Sequence, residues 1–287
     1  MRGLALVLSI LLAMCLVTVR ADEQLTLTSG DARLAATLRL PAAGSRPVPA
    51  VIILHGSGRV TAADLMGGPG RRLADMGLAV LAYDKRGVGQ STGDYSTINA
   101  ANSVAMFNLL AGDALAAVAV LGARPEIDAR RIGLVGISQG GWIAPLAASR
   151  TTRVAFVVTV SAPAVSVGEE IAYSRLAGED PGSITGLSDE EIDRRMCAFT
   201  GPHGYDPVPT LEALRVPSFW VLGEKDRSIP LRKTVVTLSR LAADRGRPIA
   251  THVIPDVNHS LRHAETGRQP DFWRAIGDWL RANRFVD

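Results

Sequence analysis

The stretch Arg131-Ile132-Gly133-Leu134-Val135-Gly136-Ile137-Ser138-Gln139-Gly140-Gly141-Trp142 decides the fold. Residues 131–137 form an apolar run without polar alternation, which suits a parallel strand covered on both faces. Residues 139–149 read as a helix that begins at once. The joint between them has the spacing G-x-S-x-G, Gly136 to Gly140. Between a buried strand and a helix, that spacing makes a tight, strained turn that lifts the serine hydroxyl clear of the sheet. The helix N-terminus behind it favours negative charge developing nearby. Ser138 is therefore the candidate nucleophile; its alternative role is that of a simple helix N-cap.

Outward from this joint the chain alternates strand and helix. Strands are expected at residues 24–28, 32–40, 50–54, 78–83, 154–160, 217–222 and 251–254, and helices at 65–76, 100–121, 231–244 and 271–282. Such alternation implies an α/β fold, a mostly parallel central sheet with right-handed crossovers and helices on its faces. One segment breaks the rhythm. Residues 165–214 carry no buried-strand pattern and hold a helix signal at 188–197, with Ser188 and Glu191 spaced as a capping box. An insertion of about fifty residues is too long for a plain connection, and we read it as a small helical cap within a single domain, residues 22–287.

A serine hydroxyl needs a base, and the base an acid to orient it. Of the five histidines, His259 lies in the loop after the last expected strand. His252 falls inside that strand, His203 in the cap, and His263 four residues beyond His259 is the reserve. Asp226 follows the strand at 217–222, giving the chain order Ser, Asp, His. Asp256 stands too close to His259 in sequence, Glu224 is expected at the surface, and Asp84 is expected to pair with Arg86 and cap a turn. The segment His55-Gly56-Ser57-Gly58 ends the strand at 50–54; the backbone N–H groups of Ser57 and Gln139 are the candidate oxyanion donors. Trp142 is expected to pack the helix.

Taken together, HGSG at 55–58, YDKRGVGQSTG at 83–93, GISQGGWIAPLAA at 136–148, GEKDRSIP at 223–230 and NHSL at 258–261 resemble the α/β-hydrolase superfamily, in particular serine aminopeptidase-like and dienelactone-hydrolase-like esterases. The resemblance spans about residues 51–280. It implies a Ser138–His259–Asp226 triad, the Ser57 and Gln139 amides as oxyanion donors, hydrolysis through an acyl-enzyme, and no cofactor or metal. Many relatives read HGSGP, whereas Arg59-Val60 follows here.

Residues 1–21 read as a secretory signal peptide: Arg2, an apolar run over 4–19, then Val19-Arg20-Ala21 before Asp22. Cleavage after Ala21 and export to the periplasm or medium are the expectation; a retained anchor is the alternative, although the run is short of the ~20 residues a span needs. No other stretch is expected to be long and apolar enough, so the mature chain is expected to stay out of the membrane. Cleavage leaves Cys197 as the one cysteine, so no internal disulfide is expected. The formal charge of +3 and scattered arginines give no basic stripe for nucleic acid. The residues three before Lys85, Lys225 and Lys233 are Ala82, Leu222 and Pro230, so S-x-x-K chemistry is absent, as are H-E-x-x-H and a P-loop. The reading is an exported serine hydrolase of small to medium acyl esters. Its variants act on aminoacyl, peptide or thioester bonds, and the contrasting class is a binding protein on the same fold.

Overall fold

The computed structural model describes residues 22–41, 47–178, 184 and 186–287. The leader expected at 1–21, with Ala21 and Cys15, lies outside the described residues. Eight strands form one sheet in the order β1-β2-β4-β3-β5-β6-β7-β8. They are β1 Glu23–Ser29, β2 Ala32–Arg39, β3 Val48–Leu54, β4 Ala79–Tyr83, β5 Ile127–Ile137, β6 Phe156–Val160, β7 Ser218–Gly223 and β8 Ile249–Ile254. The β1–β2 hairpin joins β4 antiparallel; from β4 to β8 every pairing is parallel. The burial of β2 alternates, while β4, β6 and β7 are buried throughout. That contrast follows from position, since the central strands are covered on both faces.

The helices are α1 Ala62–Gly67, α2 Pro69–Asp75, α3 Ser103–Gly122, α4 Gly140–Ala148, α5 Val167–Ala177, α6 Asp189–Cys197, α7 Val208–Ala213, α8 Leu231–Arg245 and α9 Phe272–Ala282. One face of the sheet buries α3, α4 and α8, with Phe107, Trp142 and Leu238 in a shared core. The other face buries α1, α2 and α9 through Leu65, Leu73 and Ile276. This three-layer arrangement is the α/β-hydrolase fold expected from sequence, and α5, α6 and α7 are inserted between β6 and β7.

Register decides what the fold is for. Leu54 pairs with Gly136, Ile137 with Val160, Val160 with Val221, and Gly223 with Ile254. The parallel strands thus end together, and the loops beginning at His55, Ser138, Ser161, Glu224 and Pro255 crowd one edge of the sheet. Ligands in open α/β sheets bind at that carboxyl edge.

Four local expectations change. The single helix at 65–76 is two helices, because Pro69 lacks an N–H and the residue before a proline is pushed out of helical geometry. Ser188 accepts the Glu191 amide at 3.3 Å, but the Glu191 carboxylate turns to Arg194 and Arg195 rather than completing the box. The complete boxes are at Thr61–Asp64 and Ser166–Glu169. Asp84 does cap turns, accepting the Ala62 and Gln90 amides at 2.8 Å each, but it does not hold Arg86. Arg86 instead reaches Asp113 in the middle of α3, 2.5 Å away, and Asp31 in the β1–β2 turn at 3.0 Å. Finally, α3 is 20 residues long and apolar enough that a second stretch does meet the length and composition of a membrane span. Here it packs against β1, β3, β5 and α4 with Asp113 fully buried on its inner face.

Candidate active site

Ser138 sits at the top of β5 with φ +49°, a left-handed conformation that costs a non-glycine residue energy and marks functional turns. Its amide is fixed by Val160 O at 2.9 Å, and its carbonyl accepts the Gly141 amide at 2.8 Å, opening α4. The turn passes so near β3 that a Cβ on Gly140 would lie 2.3 Å from Leu54 O, so only glycine fits there. Close contact with β3 brings the Ser57 loop beside the serine.

The other two candidates converge on it. His259 Nε2 lies 3.0 Å from Ser138 Oγ, and His259 Nδ1 lies 2.8 Å from Asp226 Oδ2. The second Asp226 oxygen accepts the Ser228 and Ile229 amides at 2.8 and 3.1 Å, which fixes the carboxylate plane. The loops bearing the acid and the imidazole are stitched together: Lys225 N donates to Val257 O at 2.8 Å and Glu224 N to Ile254 O at 2.9 Å. Asp226 is buried, while the His259 side chain keeps 27% of its surface, so the imidazole faces solvent and the carboxylate does not.

Sequence reasoning missed Ser161. It follows β6 with φ +51°, and its hydroxyl donates to His259 O at 2.7 Å, anchoring the backbone of that loop. A serine after a buried strand is too common to have signalled this. The remaining histidines lie elsewhere. His252 stacks on Phe219 along the edge strand, His263 pairs by its backbone with Val257, and His203 meets Ser166 at 2.9 Å in the cap. His55 is buried, and burial first, then the nearby Lys85 charge, lowers its pKa to about 3. Glu224 is exposed and holds the Asp256 amide. Trp142 packs as expected, tilted against Phe107 with its indole N–H on Val165 O at 2.9 Å.

A cleft of about 710 Å³ opens over Ser138 and His259. Ser57, Val160, Leu261 and Phe272 line it, and Arg71 and Arg72 of α2 stand on its wall. None of the described residues lining it comes from 165–214. The Ser57 and Gln139 amides make no hydrogen bond among the described residues, and Ser57 shares the cleft with Ser138. Among the described residues no group of three or more His, Cys, Asp or Glu is placed to hold a metal.

The family described as serine aminopeptidase, S33, matches residues 45–180, and esterase Pf2001 of Pyrococcus furiosus superposes with a TM-score of 0.67 at 20% identity over 91% of each chain. The chain has the α/β-hydrolase fold. Esterase EstD of Thermotoga maritima is 26% identical over 251 residues, covering 79% of this chain and 58% of that relative. The chain therefore spans little more than half the length of the curated relative it matches. Dipeptidyl peptidase 4 of Porphyromonas gingivalis superposes with a TM-score of 0.62 at 18% identity, over 92% of this chain and 35% of the peptidase. Similarity at that level establishes the shared fold.

Proposed function

We propose that this α/β-hydrolase is a serine esterase of small to medium carboxylic acyl esters. The observation that carries the reading is the continuous contact from Ser138 Oγ through His259 to Asp226, opening on a cleft. His259 Nε2 takes the hydroxyl proton as Oγ bonds the ester carbon, and the carbonyl electron pair moves onto its oxygen. The Ser57 and Gln139 amides face that oxyanion. Collapse breaks the bond to the leaving alkoxide, which takes the proton from His259. Water then repeats the sequence on the acyl-enzyme and frees the acid. Asp226 holds the imidazole orientation and stabilises its cation.

The esterase names of two relatives support an ester substrate. So does the cap. An aminopeptidase needs a group to hold a free N-terminus, and Glu169, Glu170 and Asp180 are the sequence candidates. Glu169 is already engaged by Ser166 and Lys233, and burial first, outweighed by those bonds, leaves its pKa low. Glu170 also has a partner, and Asp180 lies outside the described residues. Pocket discrimination amounts to ~1–3 kcal/mol per methylene, so preference should decline gradually with chain length. On p-nitrophenyl esters from C2 to C16, beside acyl-CoA and aminoacyl-anilide substrates, kcat/KM should peak between C2 and C8. A peak at C12 or beyond, or anilides surpassing every ester, would overturn the reading.

We further propose that the enzyme acts after export, on the pattern of Arg2, the apolar run and Val19-Arg20-Ala21. Protein isolated from its host should begin at Asp22; a cytoplasmic species beginning at Met1 would contradict this.

A further inference from the structure

The segment at 83–93 delivers a cation that the mechanism above leaves unused. Lys85 follows β4 and is 4% exposed. Its ammonium donates to Gly56 O at 2.7 Å, to Gly58 O at 3.0 Å and to Gln139 Oε1 at 3.1 Å. Three protons meet three acceptors, so its donor capacity is fully spent. Those acceptors are not scattered. Gly56 and Gly58 bracket Ser57, and Gln139 is the residue after Ser138.

The peptide geometry gives this placement a consequence. The Gly56 carbonyl and the Ser57 N–H belong to one peptide unit, and in a trans peptide the two point in opposite directions. No peptide bond among the described residues is cis. Drawing Gly56 O onto Lys85 therefore turns the Ser57 N–H away from the lysine. A positive charge on the carbonyl also polarises the unit and strengthens its N–H as a donor. The bond to the Gln139 side chain ties the nucleophile turn to the same point. We propose that Lys85 is a positioning residue for oxyanion stabilisation, one ammonium that aims the Ser57 amide and locks its loop to the turn bearing Ser138. This rests on the serine-hydrolase reading of the site.

Burial lowers the Lys85 pKa to about 8, so the charge is present below that pH and lost above it. The titratable and charged groups around it are His55, whose ring feels its charge, Tyr95 with its ring centroid 5.9 Å away, Arg59 on the same ring, and Asp84 and Arg86 beside it in the chain. None of the described carboxylates is bonded to Nζ: Asp84 holds backbone amides and Asp113 holds Arg86.

The test uses the rate of Ser138 phosphonylation by an organophosphonate probe, which needs no knowledge of the substrate, together with kcat and KM on the best ester, from pH 6.5 to 9.5. Removing one oxyanion donor outright typically lowers kcat about 10²–10³-fold. Misaiming one should lower kcat and the phosphonylation rate of Lys85→Met about 10–100-fold, with KM within about threefold. The wild type should lose rate above about pH 8, and the variant should lack that fall. A folded Lys85→Met labelled at the wild-type rate, a change confined to KM, or an alkaline fall that persists in the variant overturns the proposal. Should the variant fail to fold, the wild-type profile decides, a flat rate from pH 7.5 to 9.5 being fatal. A wild type left unlabelled at Ser138 removes the serine-hydrolase reading and this proposal with it, whereas normal wild-type labelling unaffected in Lys85→Met removes this proposal alone.

Discussion

Replacing Ser138 with alanine should lower kcat by on the order of 10⁴–10⁶ while the fold survives. The side chain adds one hydroxyl to a half-buried turn, and its removal leaves the backbone bonds to Val160 and Gly141 in place. Only the bond-forming atom is lost. Residual rate comes from the oxyanion amides and binding, so the variant should still bind a slow substrate. Asp226→Asn should cost less, about 10³–10⁴, because the serine and imidazole remain and what suffers is the tautomer and the stabilisation of the imidazolium. Burst kinetics with a p-nitrophenyl ester read both variants. A Ser138→Ala enzyme retaining most of its turnover would end the assignment, and an Asp226→Asn enzyme near wild type would make the carboxylate structural.

The second large effect concerns stability. Asp113→Ala should destabilise the protein by about 3–5 kcal/mol, because it strands the buried Arg86 guanidinium without its main counter-charge. Asp113 is fully buried and Arg86 nearly so, and both Asp113 oxygens are bonded to Arg86, at 2.5 and 3.2 Å. Arg86 also donates to Ser29 O at 3.0 Å and meets Asp31, so one guanidinium joins the β1–β2 hairpin, the end of β4 and α3. Asp31 is exposed, and its exposed pairing cannot replace the buried one. Replacing both partners together, Arg86→Met with Asp113→Leu, should recover much of the loss, since the cost lies in the unpaired charge. Urea unfolding of the three variants measures this. A loss below about 1 kcal/mol in Asp113→Ala would show that solvent reaches the guanidinium.

Asp113 also shows where sequence reading stops. In the sequence it is a lone acid in the Ala-rich helix at 100–121, and Asp84 was the nearer expected partner for Arg86. The central strands were legible because a strand covered on both faces must be apolar along its whole length. The turn at 136–140 was legible because its spacing of glycines and serine serves a backbone constraint. Chain order then placed Asp226 and His259 after the right strands. Those are local requirements, and local requirements are written in consecutive residues.

What consecutive residues do not record is which loops meet. Ser161, Lys85 and the Arg86–Asp113 pair act on partners 98, 54 and 27 positions away respectively. Each is an ordinary residue in its own segment and gains its role only when the packing of the sheet and helices brings distant segments together. The split of 65–76 is the reverse case: Pro69 announced it locally, but that Arg71 and Arg72 stand on the cleft wall shows only once α2 is packed against the sheet. The sequence alone determined the α/β alternation and the candidate Ser, Asp and His. The tertiary structure alone decided what holds them in place, because hydrogen bonds and ion pairs between loops depend on distances of a few ångströms that no spacing along the chain encodes.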